Sequence, residues 1–161
     1  MASDDDLRAI VERAAASLVT LPDVATTRHP APGRWSPRQI IGHLIDSASN
    51  NHRRFVLAQL GDDLLFPGYD QDAWVETQRY NEASWRDLVA LWRAFNLHLA
   101  HVMAAVPEAE RRRPRARHNL DEIAFRPVPP DRAATLQYFM DDYVAHVRHH
   151  LRQIPGVDLD D

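Results

Sequence analysis

Apolar positions recur at three- and four-residue spacing in four stretches of the chain, the period of helices that each bury one face. The first predicts a helix from about Ser3 to Leu18. Leu7, Ile10, Val11, Ala14 and Leu18 face inward, and Ser3 with Asp6 resembles a capping box. Pro22, Pro30, Pro32 and Gly33 then mark a loop. The second helix has the clearest start: Ser36 as N-cap, Pro37 at the first helical position and Gln39 completing the box. It should run to Leu60 and stop at Gly61, with Ile40, His43, Leu44, Ser47, Asn51 and Phe55 along its inner stripe.

Residues 62–83 read mostly as connection, with a short helix between Asp70 and Tyr80 and with Trp74 and Tyr80 packing it onto the rest. The third helix starts after Ser84 and ends at Pro107. Its stripe is Trp85, Leu88, Trp92, Phe95, Leu99, Val102 and Val106. A polar, Arg- and Pro-rich connection follows to about Pro130. The fourth helix is expected from an N-cap at Asp131 to just before Pro155, with Leu136, Phe139, Tyr143, His146, His150 and Ile154 inward. No period-two strand pattern and no repeat is visible. Four amphipathic helices predict an all-α four-helix bundle, in a single domain spanning 1–161.

Composition narrows the chemistry. The 161 residues carry a net charge of −4, which argues against a nucleic-acid partner. All 19 basic residues are Arg. The cluster Arg111, Arg112, Arg113, Arg115 and Arg117 reads as a solvated connection rather than a phosphate site. With no cysteine, disulfides, thiolate metal sites and a cysteine nucleophile are excluded. Unbroken apolar runs are far shorter than the roughly 20 residues that span a bilayer. The acidic N-terminus is followed by no signal-peptide core, so a cytoplasmic protein is expected.

The chain has nine histidines. His146 and His150 are one helical turn apart, so both imidazoles can reach one ion. His43 falls on the inner stripe of another helix. Two readings follow. The three converge on one metal, with zinc, nickel, iron or copper favoured over magnesium or calcium; or they are core histidines bonded to polar neighbours such as Tyr143 or Asp142.

Two segments bear on this choice. Gly33-Arg-Trp-Ser-Pro-Arg-Gln-Ile-Ile-Gly-His-Leu-Ile-Asp-Ser and Tyr143-Val-Ala-His-Val-Arg-His-His-Leu-Arg-Gln-Ile resemble the two signatures of the DinB/YfiT-like superfamily, and Tyr80-Asn-Glu-Ala-Ser-Trp between them matches its order of elements. The resemblance spans roughly residues 8–155. It implies an up-down-down-up four-helix bundle and a divalent metal, often nickel or zinc, held by His43, His146 and His150. It also implies a metal-dependent enzyme, with transfer of a low-molecular-weight thiol such as bacillithiol or mycothiol preferred. Metal-dependent hydrolysis and non-catalytic metal or small-ligand binding in a stress response are the alternatives. A small-molecule substrate and a homodimer through an outer helix face are expected partners.

Other residues carry paired expectations. Asp46, three after His43, is the candidate catalytic residue, holding a ligand's second nitrogen or accepting a proton; alternatively it pairs with Arg53 or Arg54. Asn50 and Asn51 line a polar cavity or lie at a helix end. Asp142 is a metal-site partner or solvated. His149 competes in register with His150 and is expected at the edge of the site or exposed, while His98 and His101 are expected on the flank of their helix. His29 and His52 carry no pattern. Trp35, Trp74, Trp85 and Trp92 are expected in core and cap packing, with one of them able to wall a pocket.

Overall fold

A computed structural model describes residues 3–159. Its helices are α1 (Ser3–Leu18), α2 (Asp23–Thr26), α3 (Pro37–Leu60), α4 (Gln71–Gln78), α5 (Trp85–Ala105), α6 (Glu108–Arg112), α7 (Leu120–Ile123) and α8 (Leu136–Leu151), with a 3-10 turn at Tyr80–Glu82. The long helices α1, α3, α5 and α8 form the bundle, and two isolated backbone bridges are the only strand-like pairings among the described residues.

Cross-helix contacts fix the directions. Trp85 Nε1 donates to the Leu18 carbonyl and Arg93 pairs with Glu12, so α5 runs antiparallel to α1. The Arg38 guanidinium reaches the Ala83 carbonyl, and His52 lies against Phe95 and His98, so α3 and α5 are parallel. His43 meets His146 while Phe55 meets Phe139, so α3 and α8 are antiparallel. Ser3 bonds Asp141 and Arg148 pairs with Asp6, which makes α8 parallel to α1. The order is up-down-down-up, as the resemblance implies. The parallel pair α3 and α5 is consecutive in the chain, so the connection between them must return along the bundle, and this is why the 61–84 linker is long.

Local signals explain most boundaries. Ser36 accepts from the Gln39 amide while the Gln39 side chain bonds the Ser36 N–H, so the capping box of α3 is complete. Gly61 ends α3 in an extended conformation (φ −130°, ψ 174°) rather than a left-handed one. Ser84 caps α5 through the Asp87 N–H. α5 is long and apolar enough by length and composition to cross a membrane, which counting unbroken runs overlooked; it packs against both α1 and α3. The stripes are buried as expected, except that Phe95, Val102, His146 and His150 are only half-buried.

Three expectations are corrected. Ser3 lies within α1 rather than capping it, and its hydroxyl serves α8 by bonding Asp141 and accepting from Gln137 (2.6 Å). The cap of α8 is Thr135, four residues after Asp131, because Ala134 is held extended by paired backbone bonds with Arg115 (2.8 and 3.0 Å). The Arg-rich connection is not uniformly solvated. Arg115 is 2% exposed, bonds the Ala58 carbonyl and pairs with Glu110, while Arg111 is buried against the carbonyls of Met103 and Val106. These guanidinia satisfy carbonyls at the C-terminal ends of α3 and α5, groups that a helix leaves without internal partners.

One close approach matters for the site. Arg79 adopts a left-handed conformation (φ 51°, ψ 47°) that turns the chain back after α4. Tyr80 then lies on α3 at Gly42, where a Cβ would fall 2.1 Å from its ring. Only glycine leaves room there.

Candidate metal centre

α3 and α8 cross with His43 on one and His146 and His150 on the other. The potential ligand atoms of the three lie within 4.8 Å of one another. His43 Nε2 is 3.1 Å from His146 Nε2. Tetrahedral ligation at the usual metal–nitrogen distance places donor nitrogens about 3.4 Å apart, so the trio has the dimensions of a metal site. His43 is fully buried, while His146 and His150 are partly exposed. Burial pushes His43 down to about 3 and His150 down to about 4, and lowers His146 well below the ordinary value; the imidazoles also repel one another's protons. All three are therefore neutral at pH 7, the state that presents a lone pair to a cation.

Neighbouring groups orient the rings. His146 Nδ1 meets the Ser47 hydroxyl (3.4 Å), and His150 Nδ1 meets Gln153 Oε1 (3.3 Å). The Gln153 amide also reaches His149 (3.0 Å). His149 is exposed and lies against the Phe125 ring, so the structure separates it from His150 as the register argument expected. Trp35, just before the cap of α3, lies 4.8 Å from the His43 ring and walls the site. His43 Nδ1 is buried without a hydrogen-bond partner.

The candidate catalytic Asp46 lies one turn from His43 and is 3% exposed. Its Oδ1 accepts from the Tyr80 hydroxyl (2.6 Å) and the Gln78 amide (2.8 Å), while Oδ2 is buried without a partner. Burial raises its pKa, and the two hydrogen bonds oppose that shift. The alternative pairing with Arg53 or Arg54 is not found among its described contacts. Asp142 is 2% exposed rather than solvated, and accepts from the backbone N–H groups of Phe125 and Arg126 (2.8 Å each). It pins the loop after α7 so that Phe125 lies 5.5 Å from the His146 ring.

A cavity of about 340 Å³ opens beside the trio, lined in part by His146, His150, Ser47, Asn51, Tyr69 and Phe125. No fourth His, Asp or Glu joins the cluster among the described residues, so nothing closes it off from this space. Asn51 is buried on the cavity wall and donates to the Ser47 carbonyl; Asn50 is half-buried and bonds the Asp46 carbonyl.

The remaining candidates lie elsewhere. His98 and His101 are exposed on α5, with His98 facing His52 across the groove to α3. His29 bonds the Arg34 carbonyl in the first loop. Trp85 and Trp92 are core residues, whereas Trp74 is 39% exposed against Tyr69. Sequence reasoning missed Tyr69, Phe125 and Gln153, which lie in connections and carry no periodic signal. It also passed over Arg54 as a cavity residue, although 43, 47, 51 and 54 share one helical face.

Comparison with known proteins agrees with this architecture. The family model described as the DinB superfamily matches residues 6–154. The curated Bacillus subtilis (strain 168) protein named "Putative metal-dependent hydrolase YfiT" is 25% identical over 122 residues, which is 76% of this chain and 63% of that protein; the chain thus spans under two-thirds of its relative's length. A solved structure of YfiT from Bacillus subtilis, with an unusual four-helix bundle topology, superposes with a TM-score of 0.77 at 20% identity, covering 96% of this chain and 83% of that one. With the family model spanning nearly the whole chain, and the bundle and histidine cluster in place, this protein belongs to the DinB superfamily.

Proposed function

We propose that His43, His146 and His150 hold one divalent transition metal, nickel or zinc, and that the protein is a metal-dependent enzyme acting on a small molecule. The observation that carries this reading is a neutral three-imidazole cluster facing an open cavity, with no fourth protein ligand closing it. A purely binding site would gain from such closure. When bound, the ion lowers the pKa of a water or thiol so that a nucleophile forms near neutral pH.

The chain's own residues supply the rest. Ser47 and Gln153 hold the rings of His146 and His150 in orientation. Trp35 and Phe125 keep bulk water from two sides of the cluster. Asp46, with its raised pKa and a free oxygen, is the proposed proton acceptor. Two reactions use this arrangement. Hydrolysis is supported by the name of the Bacillus relative, and transfer of a low-molecular-weight thiol to an electrophile by the family resemblance of the sequence.

Elemental analysis of tag-free protein tests the site. The parent is expected to carry near one equivalent of a transition metal, and His43→Ala and His146→Ala to carry none. Full occupancy in either variant overturns the assignment. On loaded protein, thiol–electrophile and ester or amide substrates run side by side separate the two reactions.

A further inference from the structure

The metal cluster leaves one buried charge in the same cavity without a role. Arg54, about three turns along α3 from His43, is 6% exposed and lines the cavity with His146 and His150. Its Nη2 donates to the Pro67 carbonyl (2.8 Å), and its Nη1 makes only a long contact to Asn51 Oδ1 (3.5 Å). Among the described residues no Asp or Glu pairs with it. A guanidinium has five N–H donors, and an arginine this deeply buried is ordinarily paired with an anion.

The carboxylates nearby are engaged elsewhere. Asp142 is occupied by the Phe125 and Arg126 amides, and Asp46, whose Oδ1 takes Tyr80 and Gln78, is not among the cavity's lining residues. Glu122 lines the cavity but is exposed. The Tyr69 phenol lines the same cavity and interacts with both Arg54 and Ser47. One wall therefore runs continuously from the histidines to the cation. His146 meets Ser47 (3.4 Å), Ser47 meets Asn51 (3.3 Å), and Asn51 meets Arg54 (3.5 Å). From Ser47 to Arg54 is seven residues, or roughly 10 Å of helix.

We propose that Arg54, with Tyr69 and Asn51 beside it, receives an oxyanion, a carboxylate or a phosphate, at the far end of a substrate whose reacting group meets the three histidines. The inference rests on the metal reading above for the position of the reacting group. A cavity of about 340 Å³ confines that substrate to a small organic acid or phosphate ester. Arg54 is thus a specificity residue. It pairs with a permanent anion and leaves the proton transfers to the other end of the cavity.

The test uses the cobalt-loaded 161-residue protein and three hydroxamates of equal chain length, ending in a methyl, a carboxylate or a phosphonate. The hydroxamate engages the metal, and changes in the cobalt spectrum report affinity. In the parent, at least one anionic probe is expected to bind about tenfold or more tighter than the methyl probe, as hydrogen bonds to charged groups imply. Whichever anion is preferred identifies the source as carboxylate or phosphate. Arg54→Met should erase the preference while leaving cobalt content and methyl-probe affinity unchanged, and Arg54→Lys should retain part of it. Equal affinity for all three probes in the parent overturns the proposal, as does a preference that survives in Arg54→Met. If Arg54→Met does not fold, the parent ratio and the Arg54→Lys ratio decide. Failure of the parent to take up cobalt is a failure of the metal reading instead. Calorimetry with glutarate and with inorganic phosphate then decides the anion site. Binding that Arg54→Lys weakens upholds it, and no binding in the parent removes it.

Discussion

The α1–α5 seam and the α3–α8 seam answer one packing problem with different residues. Between α1 and α5 the contact is mainly apolar, built from Leu7, Val11, Ala14 and Leu18 on one helix and Leu88, Trp92, Leu99 and Met103 on the other, all at most 7% exposed, with the Trp85–Leu18 hydrogen bond at one end. Its charges, Glu12 and Arg93, sit half-exposed outside. Between α3 and α8 the same helical positions carry His43, Ser47 and Asn51 opposite His146, His150 and Asp142. Phe55 and Phe139 keep one end of that seam apolar, and the other end remains open beside the cavity. The difference teaches where stability and chemistry reside. Apolar burial in one seam carries the cost of polar, incompletely satisfied groups in the other.

The comparison breaks most directly at Trp92, which is fully buried. Trp92→Ala should lose about 3–5 kcal/mol in urea unfolding. Metal content per folded molecule should not change. Metal itself sharpens the comparison. Ion at 100 times its Kd should stabilise the parent by about 2.7 kcal/mol, and the Trp92 variant by the same increment, because distant sites add. Unequal increments would show that the seams are coupled. Gly42→Ala tests the polar seam through packing. With the new methyl forced into the Tyr80 ring, a loss of about 1–3 kcal/mol is expected from the same unfolding curves. Arg93→Ala, which removes an exposed ion pair, should cost no more than about 1 kcal/mol and leave the metal untouched.

Much of this was legible from residues alone, for identifiable reasons. The capping box at Ser36 and the stripe through His43 depend on neighbours within a few positions, so they read directly. The pairing of His43 with His146 and His150 rested on the family signatures, since periodicity alone left packed histidines open as a reading. The start of α8 was misplaced because the bond that keeps Ala134 extended comes from Arg115, 19 residues earlier. Buried Arg111 and Arg115 look like solvent-facing charge until α3 and α5 end beside them. Asp142 looks solvated until the loop after α7 brings its amides. For Ala134, Arg115 and Asp142 the deciding partner arrives from a distant part of the chain, whereas Arg111 folds back on carbonyls five and eight residues earlier.

The parallel pairing of α3 with α5 has a consequence for how such a protein changes over time. A chain that must run back along the bundle exposes a long segment to free variation, and here that segment supplies Tyr69, Gln78 and Tyr80. The histidines belong to the helices, and the returning chain supplies one stretch of the cavity wall, Gly68, Tyr69 and Gln71. Replacements at Gly68, Tyr69 and Gln71 can therefore alter the shape of the cavity without moving a metal ligand. Connectivity thus lets one stretch of a returning strap be remodelled apart from the helices that carry the histidines and Arg54.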